Sequence, residues 1–182
     1  MKALIGIGKQ GEWESVQELR SAFPLIIKKY SRPLYWNIRR IVLNHDDADD
    51  VLQNVFVKAW ENLDKFQNKS KFSTWLYRIA VNESLDFIRR QKKTNESHCA
   101  DLQDIDGILL ADEYFDGDEL QAQLRAAIAC LPDVQRVVFN LRYFEEMKYS
   151  EMSKILDTSE GALKASYHIA VKKITEYFKD KG

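Results

Sequence analysis

The sequence has few prolines, glycines, cysteines and histidines, and it has no long apolar run. Three prolines and seven glycines in 182 residues leave long stretches without helix-breaking residues. Cys99 and Cys130 lack paired CxxC spacing, which disfavours a disulfide scaffold and a zinc site. No apolar run approaches the roughly 18 residues that a membrane span needs, and Met1–Gly11 lacks a signal peptide's apolar segment. These absences predict a reduced, cytoplasmic protein without a membrane span.

The apolar residues that are present recur mostly at helical spacing, and no segment alternates as a strand would. The helical pattern runs from Trp13 to about Lys93, stops in a stretch rich in aspartate, and resumes at Glu119. We therefore predict an all-α chain of two small helical domains, residues 1–95 and 119–182, joined by a flexible acidic linker at 96–118.

Charge is divided unevenly along the chain. The formal net charge is only −1, but nine acidic residues and no lysine or arginine lie between Glu96 and Glu119. The remaining parts carry 27 basic against 19 acidic residues, a net charge of +8. Because charge asymmetry between segments is more informative than the average, the two domains remain candidates for binding nucleic acid.

The C-terminal segment has the pattern of a helix-turn-helix. An amphipathic helix is predicted over Tyr149–Leu156, followed by a turn and by a second helix from Glu160 to about Phe178 that Ser159 can cap. Cations and small residues share one face of the second helix, as a helix entering the major groove requires. We call this set the recognition face: Ser159, Gly161, Lys164, Ala165, His168 and Lys172. The alternative is a helical hairpin with a solvated basic face.

Apolar faces are also predicted on four helices of the two domains. Their inward residues are Leu120, Leu124, Ala127, Ile128 and Leu131; Val134, Val137, Val138 and Leu141; Leu163, Tyr167, Ala170, Val171, Ile174 and Phe178; and, on a helix over Asp47–Leu63, Val51, Leu52, Val55, Phe56, Ala59, Trp60 and Leu63.

The outer face of the Asp47–Leu63 helix is polar except at one position. Val57 stands there with polar neighbours, and an isolated apolar residue of this kind is often merely tolerated at a surface. It can instead form the centre of a protein-docking patch, which we call the docking face: Asp50, Gln53, Asn54 and Val57.

A further helix is predicted from near Phe72, with Ser73 or Thr74 as its cap. From Glu61 to Asn95 there are eight basic and four acidic residues, and aromatic side chains are interleaved with them. Rings on which bases stack and cations that follow a backbone are typical of single-stranded nucleic-acid sites. We call the candidate residues the basic–aromatic stripe: Lys71, Trp75, Arg78, Asn82, Asp86, Arg89 and Arg90. The alternative is a core tryptophan beside a solvated basic face.

Three segments together resemble the sigma-70 family of RNA polymerase sigma factors. DADDVLQNVF at 47–56 resembles the region 2 signature, FSTWLYRIAVN at 72–82 resembles the stretch that follows it, and Leu131-Pro132 with the helix-turn-helix resembles region 4. Their order and spacing are similar to those of the extracytoplasmic-function type, which has only these two domains.

The resemblance implies a transcription initiation factor that binds core RNA polymerase at its clamp and flap. The docking face would bind the clamp, the basic–aromatic stripe would recognise and open the minus-ten promoter element, and the recognition face would read the minus-thirty-five element. The acidic linker would thread polymerase channels, and an anti-sigma factor is an expected partner. At 162–166 the chain has ALKAS where many relatives have TVKSR, which removes two expected DNA contacts.

Two other functions compete with this interpretation. A helix-turn-helix repressor with an effector-binding or dimerising N-terminal domain predicts palindromic sites and tight duplex binding without polymerase. An enzyme predicts a cluster of polar catalytic groups, but the sequence has no HExxH, P-loop, GxSxG or paired-cysteine motif, and His45, His98 and His168 have no metal-ligand spacing. The sequence thus predicts no catalytic residue, metal or cofactor.

Overall fold

The computed structural model describes residues 15–66, 70–94 and 119–181, and every regular element in these ranges is helical. The elements are α1 (Val16–Val42), α2 (His45–Glu61), a 3-10 turn (Leu63–Lys65), α3 (Phe72–Thr94), α4 (Glu119–Ala129), α5 (Asp133–Tyr143), α6 (Tyr149–Leu156) and α7 (Glu160–Lys181). The all-α prediction is confirmed. The predicted acidic linker lies outside the described residues.

Side-chain caps begin three of the helices. Ser15 accepts a hydrogen bond from the Glu18 amide at the start of α1, and Asn44 accepts one from the Asp47 amide at the start of α2, both at 3.2 Å. Ser159 accepts one from the Ala162 amide at 3.2 Å, which confirms its predicted role as the cap of α7. Each cap satisfies an amide that has no partner within its helix.

Helices α1, α2 and α3 pack together around the N-terminal core. Apolar residues of all three are almost fully buried, as their helical spacing predicts. The best-buried members are Leu19, Ile26, Leu34, Ile38, Ile41, Val51, Val55, Ala59, Leu76 and Ala80.

In the C-terminal domain, α7 packs against α4, α5 and α6. Leu163, Ala170 and Ile174 are buried on its inner face. Leu163 belongs to one apolar cluster with Val137, Val138 and Leu141 of α5, whereas Ala170 and Ile174 belong to another with Ile128 of α4 and Phe139 of α5. Asp157 ends α6 in the left-handed conformation (φ 51°) and turns the chain into α7. The predicted helix-turn-helix is therefore present.

Some residues of the predicted apolar faces are exposed. Leu120 and Val134 lie near the starts of their helices and are 63% and 57% exposed, whereas Trp60 of α2 is 41% and Val171 of α7 is 38% exposed. Val171 is eight residues after Leu163, so it lies about 80° away from it around the helix, at the edge of the stripe. Ser73 and Thr74 are not caps, because α3 already begins at Phe72.

The two domains are in direct contact with each other. Helix α3 packs on α6, and α1 packs on α5. One continuous apolar cluster includes Leu76 of the N-terminal domain together with Leu141, Met152 and Ile155 of the C-terminal domain. No local pattern in the sequence predicts this contact.

Candidate functional site

The docking face is exposed on α2 as the sequence predicts. Asp50, Gln53 and Asn54 are all exposed, and Val57 is 55% exposed. The first three residues line a shallow depression of about 420 Å³ between α2 and α3, together with Phe87, Arg90 and Gln91 of α3. The structure thus brings Arg90, which we assigned to the basic–aromatic stripe, beside the docking face.

The C-terminal part of the basic–aromatic stripe forms a second depression. Asp86, Arg89 and Arg90 line it with Lys58, Glu83 and Lys93, in a volume of about 280 Å³. Arg89 donates to the Asp86 carboxylate at 2.9 Å. Lys58 of α2 pairs with the buried carboxylate of Glu83 of α3, so an ion pair fixes these two helices to each other.

Arg78 and Asn82 continue the stripe as exposed side chains in the middle of α3. About 27 Å of helix separates Phe72 from Arg90 at 1.5 Å per residue. A stripe of this length can contact several nucleotides.

The N-terminal end of the stripe lies against the other domain. Trp75 is half-buried in an aromatic cluster, with its ring centroid 5.4 Å from that of Phe66 and 5.3 Å from that of Phe72. Lys71 donates to a carboxylate oxygen of Glu151 on α6 at 2.9 Å. This hydrogen bond is the main reason why the pKa of Glu151 is lowered.

The recognition face is open to solvent along α7. Gly161, Lys164, Ala165, His168 and Lys172 are all exposed. A Cβ atom added at Gly161 would meet nothing within 4 Å, so the backbone there is open to close approach. The Lys164 ammonium lies 5.6 Å from the centre of the Tyr149 ring, and Lys172 lies 3.8 Å from the Glu176 carboxylate. Ile169, an apolar residue of the same helix, is 44% exposed.

Glu145 connects the two domains, a role that the sequence did not predict. The Tyr77 hydroxyl of α3 donates to Glu145 Oε2 at 2.7 Å, and Arg40 of α1 lies 3.4 Å from Glu145 Oε1. Burial, with a further contribution from the Glu145 charge, raises the pKa of Tyr77 well above its usual range, so the hydroxyl stays protonated and donates. Glu145 is 68 and 105 residues from these partners, and no local sequence pattern indicates such a pairing.

A further ion pair, between Lys92 and Asp133 at 2.6 Å, also joins the domains. Among the residues that the structure describes, no three His, Cys, Asp or Glu side chains gather in a way that could hold a metal ion. Within the same residues no helix is long and apolar enough to cross a membrane.

Comparisons with known proteins match both halves of the chain. Residues 26–94 match the family model of sigma-70 region 2, and residues 121–174 match that of sigma-70 region 4. The chain is 33% identical over 159 residues to the ECF RNA polymerase sigma factor SigW of Bacillus subtilis, covering 82% of this chain and 84% of the relative. It is 28% identical over 162 residues to the RNA polymerase sigma-H factor of Pseudomonas aeruginosa, with 80% of each chain covered.

The fold also resembles a solved structure. The sigma factor RpoE of Bartonella quintana, crystallised with the anti-sigma factor NepR, superposes with a TM-score of 0.68 at 23% identity. The match covers 86% of this chain and 96% of the solved one.

Proposed function

The chain belongs to the sigma-70 family of RNA polymerase sigma factors, in its ECF group, and we propose that its three surfaces divide the work of promoter selection. As a member of this family it is a transcription initiation factor that directs core RNA polymerase to promoters. The proposed units are residues 1–95 for docking and the minus-ten element and residues 119–182 for the minus-thirty-five element. The arrangement of α2 and α3 where they pack together supports the assignment of docking and minus-ten recognition to one unit. There the docking face and the basic–aromatic stripe meet at Arg90 and are held together by the Lys58–Glu83 pair.

The docking face binds the polymerase clamp in this proposal, with Val57 at its centre. A half-exposed valine among amides and a carboxylate provides a small apolar centre with a polar rim, as many protein interfaces have. The C-terminal domain binds the flap.

The basic–aromatic stripe captures the opened minus-ten strand. Arg78, Arg89 and Arg90 hold phosphates, while Trp75 and Asn82 bind an extruded base by stacking and hydrogen bonding. Extruding a base costs a few kcal/mol, so several such contacts are needed to offset it. Lys71 takes part once it is released from Glu151, to which it is paired in this structure.

The recognition face enters the major groove of the minus-thirty-five element. Lys164, His168 and Lys172 contact phosphates or base edges, and the absent side chain at Gly161 lets the backbone approach DNA. Ser159 fixes the start of the helix by capping it.

The remaining properties follow from this role. The polymerase performs the chemistry, so we propose no catalytic residue, metal or cofactor in this chain. The site of action is the cytoplasm, where bacterial DNA is transcribed. An anti-sigma partner is supported by the resemblance to RpoE, whose solved structure contains NepR.

In this proposal the packed domains, which touch through α3 and α6, do not contact both promoter elements at once. Positions minus-ten and minus-thirty-five differ by about 25 base pairs, which is roughly 85 Å of DNA at ~3.4 Å per base pair. There are 24 residues between Thr94 and Glu119, and a chain of that length can extend over at most about 80 Å. This length allows the two domains to separate and to bind different promoter elements. We therefore propose that the domains separate when the chain binds polymerase, which releases Lys71 from Glu151.

In vitro transcription with purified core polymerase on a library of promoters tests the proposed function. We expect specific start sites that core polymerase alone does not give. Binding of the free protein to promoter duplexes should be weak and should fall steeply with salt, because phosphate contacts release counterions. Absence of new start sites, together with tight binding to palindromic DNA without polymerase, would instead support a repressor.

A further inference from the structure

Helix α7 carries a large apolar side chain on the side that faces away from its core. Ile169 is 44% exposed, although Leu163, Ala170 and Ile174 of the same helix are buried. Each residue of a helix advances by about 100°, so Ile169 lies about 100–140° around the helix from each of these three residues. Isolated apolar residues are common on protein surfaces, so the surroundings of Ile169 decide whether it has a role.

Ile169 lies among the residues of the recognition face. Residues three or four positions apart are neighbours on a helix surface, so Ala165 and Lys172, which are exposed members of that face, lie directly before and after it. Gly161, Ala165 and Ile169 form one row along the helix, about 12 Å long. The first two have little or no side chain, and the space around Gly161 is open. A DNA duplex that approaches Ala165 closely therefore also meets the side chain of Ile169.

Exposed hydrogen-bond donors lie next to this row. Lys164, His168 and Lys172 form a parallel row beside it, and Lys173 lies one turn after Ile169. Donors of this kind hold phosphates and so fix the position of a helix on the duplex, without distinguishing one base from another. The apolar side chain that they surround then faces the base edges in the groove.

The major groove offers an apolar side chain one suitable group. Thymine carries a methyl group at C5, whereas the edges of adenine, guanine and cytosine present hydrogen-bond donors and acceptors. Contact between Ile169 and the methyl group removes apolar surface of both partners from water. Opposite another base, the same side chain would cover polar groups without satisfying them, which costs free energy. Attraction and penalty therefore favour the same base.

We propose that Ile169 makes this chain select thymine at one position of the minus-thirty-five element, through contact with the C5 methyl group. This inference rests on the proposed function, in which α7 enters the major groove of that element. It adds a residue that distinguishes bases to the donors that hold the DNA backbone. Because the contact involves no phosphate, the preference for thymine should not depend on salt, although overall affinity should.

Titration of labelled promoter duplexes with holoenzyme, reconstituted from the full chain and purified core polymerase, tests the inference. Each thymine of the minus-thirty-five element, on either strand, is replaced singly by deoxyuridine, which keeps the hydrogen-bonding groups and lacks the methyl group. At one position we expect affinity to fall about three- to fourfold, the effect of losing one buried methyl group. The ratio of the two affinities should be the same at low and high salt.

Ile169→Ala should lower the affinity for thymine DNA by at least that factor and should bind the thymine and deoxyuridine duplexes equally. The fold should be retained, because the position is exposed and alanine favours a helix. Val171→Ala is the matched control. Val171 is 38% exposed on the same helix but lies about 160° around it from Ile169, so this variant should distinguish the duplexes as the wild type does.

Three results would overturn this inference and leave the proposed function in place. They are equal affinity for thymine and deoxyuridine at every position, a preference that persists in Ile169→Ala, and a preference that disappears in Val171→Ala. Absence of promoter-specific binding by the wild-type holoenzyme would overturn the proposed function and the inference together.

Discussion

Asn82 and Lys164 present exposed polar groups on two different surfaces, the basic–aromatic stripe and the recognition face. If Asn82 binds an extruded base, Asn82→Ala removes a hydrogen bond worth ~0.5–1.5 kcal/mol and lowers promoter opening about three- to tenfold. Its effect on binding to closed duplex should be small. Permanganate reactivity of unpaired thymines measures the opening, and fluorescence anisotropy of labelled promoter DNA measures the binding.

Lys164→Ala is the complementary change, and it should weaken upstream duplex binding while leaving opening of the bound promoter intact. If Lys164 contacts a phosphate, the loss should reduce the slope of log affinity against log salt by about one. Similar effects of both variants on both steps would show that the two surfaces do not divide the work as proposed.

Glu151 makes the packed arrangement sensitive to acid. Its pKa is lowered chiefly by the hydrogen bond from Lys71, so its contribution to stability is present above the ordinary glutamate pKa of about 4.3 and is lost as the pH falls through the lowered value. We expect Glu151→Gln to be less stable than the wild type at neutral pH, and the difference to shrink below about pH 4. Urea unfolding at a series of pH values measures this difference. A shrinkage of equal size in the control Glu146→Gln, at an exposed residue, would show that the ion pair is not its cause.

At the level of elements, α2 offers a direct test of polymerase docking. Val57→Asp removes ~1–1.5 kcal/mol of apolar contact and places a charge in the interface, so affinity for core polymerase should fall about tenfold or more. The fold should be unaffected, because Val57 is 55% exposed. Ile27→Asp, at a 37% exposed residue of α1, is the control. Equal affinity of the two variants in a fluorescence titration with core polymerase would place docking elsewhere.

Helices α1 and α5 each bury an asparagine completely, and neither side-chain amide has a hydrogen-bond partner among the described residues. Asn37 and Asn140 lie about one turn before Arg40 and Phe144, which contact each other across the domain boundary. An unpaired buried amide costs ~1–3 kcal/mol, and leucine has a similar shape without that cost. Asn37→Leu should therefore raise the free energy of unfolding in urea by about 1 kcal/mol. A decrease would mean that the amide is hydrogen-bonded in solution.

Helical spacing predicted the elements well, because burial of one face determines which apolar positions repeat. It identified Leu163, Ala170 and Ile174 of α7, and the bounds Tyr149–Leu156 of α6. It failed at Leu120 and Val134, since a first turn can extend beyond the packed part of a helix. Helical spacing also could not show that Arg90 lies beside the docking face, because the position of Arg90 depends on how α2 packs on α3.

At the level of the whole molecule, the contact between domains could not be predicted from local patterns. Lys71–Glu151, Tyr77–Glu145 and Arg40–Glu145 join residues 68 to 105 positions apart, and the charges on each side are ordinary for surface residues. The acidic stretch and the two basic domains suggested separate units connected by a linker. The structure adds that polar groups and an apolar cluster join these units directly. An interface that holds ion pairs beside its apolar cluster is suited to opening, because its net stability is smaller than that of a fully apolar core.

Glu145→Arg should therefore shift the chain towards the separated state. The new guanidinium would face Arg40 and lose the hydrogen bond from Tyr77, and breaking a partly buried pair in this way costs more than the ~1.4 kcal/mol that changes a population tenfold. Two dyes, attached at Lys28→Cys and Lys179→Cys in a Cys99→Ser/Cys130→Ser background, report the distance between the domains. Energy transfer between them should fall, and association with core polymerase should become faster.

The control is Glu146→Arg at the adjacent exposed residue, which should change neither quantity. Because a disrupted fold would also lower energy transfer, the variant must keep its helical circular dichroism. Faster association with a larger dye separation would support domain opening as the step that precedes promoter binding, whereas unchanged separation would show that Glu145 does not hold the domains together.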